Sequence, residues 1–235
     1  SESHYGGYSE RARVNSEHLL KLPENISNHQ AMQIGTAGYT AMLCVLGLED
    51  FGIKPDSGEI LVTGASGGVG SVAVSLLSSL GFSVIASTGR LSETEYLKSI
   101  GASSVIDRSE LSEPSKPLGK ERWSAAIDSV GSQTLSNVIA QTKYGGAVSA
   151  CGLAQGMDLP STVLPFILRG VSLIGIDSVM APMSKRERAW DRLSKDLNVD
   201  KLAEMVVETN LDEVQSFAQL ILDGQVRGRV AVNIS

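Results

Sequence analysis

A glycine-rich loop between a strand pattern and a helix pattern is the feature that most constrains the fold of this chain. Residues 59–64 (EILVTG) form a short apolar run, and residues 69–80 place apolar side chains at helical spacing. Between them stands ASGGVG at positions 65–70. A loop that leaves a strand and opens a helix in this way binds dinucleotide phosphates, because the free N–H groups at the helix start face them. The other interpretation is a glycine-rich turn that serves only close packing.

Small residues of this loop have distinct expected roles. Gly67 lets the backbone approach a pyrophosphate, and Gly70 lets the helix pack close to the strand. Ala65 stands where the common fingerprint has its turn glycine, and a methyl group is tolerated there if φ is negative. A P-loop is excluded, because Gly70 is followed by Ser71 and Val72 instead of the required lysine and hydroxyl residue.

Strand patterns and helix patterns alternate through the middle of the chain. The strand patterns occupy residues 59–64, 82–87, 103–107, 123–131, 145–152 and 171–177. The helix patterns occupy residues 30–48, 69–80, 92–101, 132–143 and 184–197. Strands that alternate with helices form a parallel sheet with helices on both faces. We therefore predict an α/β fold with a doubly wound parallel sheet of the Rossmann type.

The two ends of the chain carry other patterns. Residues 5–23 indicate short strands and turns. The C-terminal stretch indicates one more helix over residues 212–224 and one more strand over residues 229–235.

The composition excludes several classes of protein. The net charge of −6 argues against a nucleic-acid partner, since a phosphate backbone is bound by a net basic face. The two cysteines, Cys44 and Cys151, are too few for a disulfide framework and lack zinc spacing. We therefore expect a reduced, cytoplasmic compartment and no metal. We find no run of about 18 apolar residues and no signal-peptide pattern, so we expect no membrane association.

The end of the second predicted strand indicates which dinucleotide the loop prefers. An NAD site places Asp or Glu about 20 residues beyond the loop, where it binds the ribose hydroxyls. Here the strand runs into Ser87-Thr88-Gly89-Arg90, without an acid. A guanidinium binds a 2′-phosphate through paired hydrogen bonds, so Arg90 favours NADPH; otherwise it only caps a surface loop. Arg108, after the third strand, is either a second contact for this half of the cofactor or an ordinary surface arginine.

Several motifs follow one another in the order of one known family. They are GTAGYTAMLCVL (35–46), VTGASGGVGSVAVSLLSSLGF (62–82), STGR (87–90), AIDSVG (126–131), YGGAVSACGLA (144–154), LPFILRGVSLIGIDSV (164–179) and GRVAV (228–232). Together they resemble the medium-chain dehydrogenase/reductase superfamily. Within it the chain is similar to the zinc-free branch of acrylyl-CoA reductases, often labelled quinone oxidoreductases.

The resemblance implies a reaction and its partners. The reaction is the NADPH-dependent reduction of an activated carbon–carbon double bond, by which acrylyl-CoA gives propionyl-CoA. The substrate is a small molecule, either an acyl-CoA thioester or a quinone. Subunits of the family pair through the strand that matches residues 171–177, so a homodimer is expected.

The resemblance also assigns cofactor contacts. Its pyrophosphate contacts match Ser66, Gly67, Gly68 and Val69. Its 2′-phosphate contacts match Thr88, Gly89 and Arg90, followed by a basic contact that matches Arg108. The positions that line the nicotinamide half match Leu153, Ile167 and Ser178. A further contact near the C-terminal strand matches Arg229. Without the resemblance, Leu153 and Ile167 would be interpreted as core residues.

The domain assignment follows from the same resemblance. Family members build most of a GroES-like substrate domain from residues that precede the part matched here. We expect residues 1–30 and 205–235 to form a partial GroES-like β domain, and residues 31–204 to form the NADPH-binding domain. Thr36 and Tyr39 are the nearest polar candidates for catalysis, although a tyrosine in this run is also typical of a packed core.

Three functions remain open from the sequence. The first is an enoyl-thioester reductase of the acrylyl-CoA type, and the second is a quinone or enone reductase on the same scaffold. The third is a non-catalytic nucleotide-binding protein, because binding residues are present while the catalytic group is not identified. No tyrosine precedes a lysine at the spacing that short-chain reductases use for proton donation.

Overall fold

A sheet of six parallel strands dominates the structure, a computed structural model that describes residues 6–234. Its strands are β1 (Ile60–Val62), β2 (Val84–Thr88), β3 (Ser104–Asp107), β4 (Trp123–Asp128), β5 (Thr142–Ala150) and β6 (Ser172–Gly175). Their order is β3-β2-β1-β4-β5-β6. The direction of winding reverses between β1 and β4, so a crevice opens at their carboxyl ends, where such sheets bind ligands. The predicted α/β fold with a doubly wound parallel sheet is confirmed.

Helices cover both faces of this sheet. In chain order the helices are α1 (Asn28–Phe51), α2 (Gly68–Ser79), α3 (Thr94–Ser99), α4 (Ser132–Gln141), α5 (Leu164–Arg169), α6 (Met183–Asp196), α7 (Val199–Leu202) and α8 (Val214–Leu222). The last of them, α8, has no buried residue and lies with the C-terminal strands instead. Alternate residues of β1 point to opposite faces: Ile60 and Val62 join the core cluster of α1 and α2, and Leu61 joins that of α4. Burial on both faces explains why β1 is apolar at every position.

The long helix α1 begins with a capping box. The Gln30 backbone N–H donates to Ser27 Oγ at 3.2 Å, and the Ser27 N–H donates to Gln30 Oε1 at 2.9 Å. The helix bends at Gly35, which has φ 53°, and ends at Gly52, which has φ 106°. By length and composition α1 could span a membrane, but 72% of its apolar window is buried inside the structure. Its apolar side chains therefore serve the core.

A second, two-stranded parallel sheet lies at the C-terminal end. It pairs β7 (Val206–Asn210) with β8 (Arg229–Asn233), and α8 connects them. The predicted C-terminal helix and strand are present, whereas β7 was not predicted. The short strands predicted over 5–23 are wrong for residues 6–23, which contain only a 3-10 turn at Ser16–His18; residue 5 lies outside the described residues. Residues 6–19 are exposed, so this weak alternation has no buried face that would fix a strand.

A buried carboxyl group closes the turn after β4. Asp128 is fully buried, accepts a hydrogen bond from Thr63 Oγ1 at 2.7 Å, and accepts another from the Gly131 N–H at 2.8 Å. Burial is the main cause that raises the pKa of Asp128, although both hydrogen bonds act in the opposite direction. The carboxyl group thus connects the chain after β1 to the turn that leads into α4.

We predict that Asp128→Ala destabilises the fold. The buried Thr63 hydroxyl and the Gly131 N–H lose their acceptor, which costs about 2 kcal/mol or more in the free energy of unfolding. Urea unfolding of the chain measures this loss. The exposed Asp212→Ala serves as a control and should change stability by less than about 0.5 kcal/mol. Equal losses in the two variants would show that Asp128 does not hold this turn.

Candidate dinucleotide site

The glycine-rich loop leaves β1 and enters α2 at the crevice. Gly64 takes the left-handed conformation at φ 57°, and the Gly67 N–H donates to the Gly64 carbonyl oxygen at 2.9 Å. Ala65 is fully buried and is not among the residues with positive φ. Its methyl group is therefore tolerated at this position of the loop, as expected. A Cβ on Gly70 would lie 2.3 Å from the Gly64 oxygen, so only glycine fits there. The close approach of helix to strand that was expected at Gly70 is confirmed.

The start of α2 lies at the carboxyl end of β1, next to the backbone of Gly228. Gly67 is the N-cap residue and has no side chain that could accept hydrogen bonds from the first N–H groups. A Cβ on Gly68 would lie 3.2 Å from the Ala37 Cβ, so the loop also packs closely against α1. The helix start, which has no side-chain cap, therefore directs the positive end of its dipole to this edge of the sheet, where an anion is favoured.

Hydroxyl groups join the loop to the end of β2. Ser66 Oγ lies 3.0 Å from Thr88 Oγ1, and the Arg90 backbone N–H donates to Thr88 Oγ1 at 3.1 Å. One terminal nitrogen of Arg90, Nη2, donates to Ser66 Oγ at 3.3 Å and to the Val226 carbonyl oxygen at 3.0 Å. The structure thus brings together the predicted pyrophosphate and 2′-phosphate residues, 22 to 24 positions apart in the chain.

Arg108 lies against the same corner of the site. A Cβ on Gly89 would lie 2.6 Å from Arg108 Nε, so the guanidinium covers the backbone at Gly89. Within residues 6–234, neither Arg90 nor Arg108 forms an ion pair with a carboxylate. Two guanidinium groups that form no ion pair within the described residues therefore stand where β2 and β3 end.

Arg229 approaches the loop from β8. Its Nη1 donates to the Gly68 carbonyl oxygen at 3.2 Å, and its Nε donates to the Gln33 carbonyl oxygen. Its buried Nη2 has no hydrogen-bond partner in the described part of the chain. Burial lowers the pKa of Arg229 to about 10, so the group is still a cation at neutral pH. A buried cation with a free donor is suited to an anion next to the loop.

Of the predicted nicotinamide residues, Leu153 and Ser178 lie at the ends of β5 and β6, whereas Ile167 lies on α5 and lines neither of the cavities that those two residues line. A cleft of about 470 Å³ is lined there by residues that include Cys151, Leu153 and Asp177. Leu153 is 63% exposed and Ile167, on α5, is 68% exposed, so the alternative that both are core residues is wrong. Ser178 follows Asp177 but lines a second, larger groove. The structure therefore places Leu153 in the cleft and Ser178 at its border.

The larger groove has a volume of about 1590 Å³ and contains both catalytic candidates. Thr36 is exposed, whereas Tyr39 is 5% exposed and its hydroxyl has no partner among the described residues. The Tyr39 ring lies 5.6 Å from the Arg186 guanidinium carbon, and burial raises the pKa of Tyr39. The tyrosine is thus a packed residue at the wall of the groove.

One part of the site was missed by sequence reasoning. The Gly228 N–H donates to the Ser66 carbonyl oxygen at 2.9 Å, and Val226 supplies the carbonyl that holds Arg90. No local pattern predicts a contact between segments 136 residues apart; the glycine between Arg227 and Arg229 was the one available sign of a tight approach. Among residues 6–234, no group of three or more His, Cys, Asp or Glu side chains could hold a metal ion.

Comparison with known proteins identifies the family. The profile of the zinc-binding dehydrogenase family matches residues 68–195. The acrylyl-CoA reductase AcuI of Ruegeria pomeroyi is 50% identical over 235 residues, which cover 100% of this chain and 71% of that protein. The protein named "Putative quinone oxidoreductase YhfP" of Bacillus subtilis is 46% identical over 231 residues, covering 97% of this chain and 70% of that protein.

Two crystal structures share this fold. Escherichia coli K-12 YhdH with bound NADPH has a TM-score of 0.97 and 52% identity, covering 100% of this chain and 72% of that one. Bacillus subtilis YhfP with bound NAD has a TM-score of 0.91 and 46% identity, covering 94% of this chain and 68% of that one. The chain therefore belongs to the zinc-binding dehydrogenase family, in the zinc-free branch of medium-chain dehydrogenases/reductases that contains acrylyl-CoA reductases and quinone oxidoreductases.

Proposed function

We propose that this chain binds NADPH and uses it to reduce an activated carbon–carbon double bond, with the conversion of acrylyl-CoA to propionyl-CoA as the leading reaction. The observation that carries the proposal is the set of arginines at the crevice. Arg90, Arg108 and Arg229 surround a glycine-rich helix start, and none of them has a carboxylate partner within residues 6–234. An anion with several phosphate groups would balance these charges.

The pyrophosphate would lie at the start of α2. The backbone there is free of side chains at Gly67 and Gly68, so the phosphates could approach the N–H groups of Gly68 and Val69. Ser66 Oγ adds a hydroxyl donor on the side of β2. The free Nη2 of Arg229 would complete the site from the other side.

The 2′-phosphate would lie at the end of β2. Thr88 and Arg90 supply a hydroxyl and a guanidinium, and Gly89 leaves room for the Arg108 side chain at this corner. An NAD site needs an Asp or Glu at this position to bind the ribose hydroxyls, and Ser87–Arg90 contains none. The corner therefore favours the phosphorylated cofactor.

The nicotinamide would lie towards the ends of β5 and β6, near Leu153, Ile167 and Ser178. When bound, NADPH supplies the hydride, and the protein orients the substrate next to it. The exposed apolar side chains of Leu153 and Ile167 would exclude water from that end. Thr36 and Tyr39 are the proton-donor candidates in the adjacent groove.

The assembly is a further part of the proposal. Residues 31–204 would be the NADPH-binding domain, and residues 1–30 and 205–235 would belong to a GroES-like β domain. β6 is an edge strand, so a second copy could pair with it and form a homodimer. The acrylyl-CoA reductase relative at 50% identity supports a small thioester as the substrate.

Two other functions have specific support. The name of the relative from Bacillus subtilis favours a quinone or enone as substrate on the same scaffold. The burial of Tyr39, one of the two proton-donor candidates, favours a protein that binds NADPH without turnover. The experiments below separate these functions.

We predict that Arg90→Ala weakens the binding of NADPH far more than the binding of NADH. One charge-assisted contact to the 2′-phosphate contributes about 1.5–3 kcal/mol, and NADH has no such phosphate. Dissociation constants for both cofactors, from quenching of the tryptophan fluorescence, measure the difference. Lys98→Ala, an exposed cation on the neighbouring α3, should change neither constant. Equal losses for both cofactors in Arg90→Ala would refute the 2′-phosphate role.

We predict that the chain oxidises NADPH with acrylyl-CoA and not with a benzoquinone. A thioester conjugated to a double bond accepts a hydride at its β-carbon, which matches the proposed class of reaction. Absorbance at the nicotinamide band measures the turnover, and the mass of the acyl product identifies propionyl-CoA. The reverse preference would support the quinone reductase, and tight NADPH binding without either turnover would support the binding protein.

A further inference from the structure

We propose that Arg227 is a second arginine for the ribose 2′-phosphate and that the C-terminal segment Gly224–Arg229 forms the outer wall of the adenosine site. This inference rests on the proposed NADPH function and extends it. Arg227 belongs to none of the motifs that predicted the cofactor residues. It is a specificity residue for the phosphorylated cofactor, 134 positions from Glu93 in the chain.

The segment is held firmly over the glycine-rich loop. The Gly228 N–H donates to Ser66 O at 2.9 Å, and Gly67 and Gly228 pair as an isolated parallel bridge. Gly228 has φ 63°, and a Cβ there would lie 1.9 Å from the Met205 carbonyl oxygen. Because glycine alone fits this position, the path of the neighbouring Arg227 and its distance from the loop are set by the backbone.

The same segment holds the guanidinium of Arg90. Arg90 Nη2 donates to the Val226 carbonyl oxygen at 3.0 Å, one residue before Arg227. The contact leaves Arg90 Nε and Nη1 without a hydrogen bond to any other described residue. The segment therefore positions Arg90, and Arg227 is the next residue along it.

Arg227 faces the turn that follows Arg90. Its guanidinium carbon lies 4.3 Å from the centroid of the Tyr96 ring, and its Nη1 lies 3.5 Å from Glu93 Oε2. The Glu93 N–H in turn donates to the Arg90 carbonyl oxygen at 3.0 Å, so both arginines meet the same short turn. Stacking on an aromatic ring fixes the plane of a guanidinium and leaves its edge free for hydrogen bonds.

The positive charge at this turn is only partly balanced by Glu93. The contact from Arg227 to Glu93, at 3.5 Å, is longer than the 2.7–2.9 Å or so of a strong charge-assisted hydrogen bond. Arg227 keeps 46% of its side chain exposed. Glu93 offers one charge to Arg227 and forms no ion pair with Arg90 or Arg108 within the described residues. A phosphate dianion between the arginines would match their donors better than this single carboxylate.

The test compares Arg227→Gln with a matched control. Arg122→Gln also removes a stacked arginine: Arg122 lies 4.9 Å from the Trp123 ring centroid and pairs with Glu110 at 3.0 Å, but at the amino end of β4. Dissociation constants for NADPH and NADH are measured for the natural chain and both variants. We expect Arg227→Gln to weaken NADPH binding by about tenfold and NADH binding by less than about twofold. The control Arg122→Gln should change neither dissociation constant. Arg227→Lys, which keeps the charge, should retain part of the preference.

The outcomes separate this inference from the proposed function. If the natural chain prefers NADPH, Arg90→Ala loses that preference, and Arg227→Gln behaves like Arg122→Gln, the inference is wrong and the function stands. Equal losses for both cofactors in Arg227→Gln would also overturn it, because they would indicate a role in packing. If the natural chain does not prefer NADPH, both the function and the inference fail. Thermal melting of each variant verifies folding, and Arg227→Lys provides the comparison if Arg227→Gln does not fold.

Discussion

The close packing of α2 on β1 is the constraint on which the rest of the site depends. Gly70 lies so near the Gly64 carbonyl that a Cβ on residue 70 would clash with that oxygen. This approach places the N-terminus of α2 at the carboxyl end of β1, beside the point where the sheet reverses its winding. The free N–H groups, the helix dipole and the crevice therefore coincide, and the arginines only need to surround a site that the backbone has already formed.

The C-terminal segment completes the proposed phosphate site. It returns along β8, places Arg229 against Gly68, and supplies the Val226 carbonyl that holds Arg90. These contacts attach the C-terminal segment to the glycine-rich loop and to the end of β2. Cofactor binding and the packing of the C-terminal strand should therefore depend on each other. Positive charge is concentrated at this corner although the chain as a whole carries a net charge of −6. Local arrangement, and not overall charge, decides which anion fits.

Much of the fold could be predicted from the sequence, because buried parallel strands are apolar and alternate with helices. The six strands of the main sheet and the loop after β1 were all recognised in this way. β7 (VVETN) was not predicted, because it is short and mostly exposed and because its pairing with β8 is a long-range contact. The predicted N-terminal strands failed because weak alternation without burial fixes no register. Arg90 was found by its spacing from the loop, whereas Arg227 could be found only from its contacts with Tyr96 and Glu93.

The central claim is that the corner at Arg90 binds a 2′-phosphate. Titration of the chain with 2′,5′-ADP and with 5′-AMP, followed by calorimetry, tests it most directly, because the two ligands differ only in that phosphate. We expect 2′,5′-ADP to bind at least about tenfold more tightly than 5′-AMP, since a charge-assisted contact to arginine contributes about 1.5–3 kcal/mol. Equal affinity for the two ligands would contradict it.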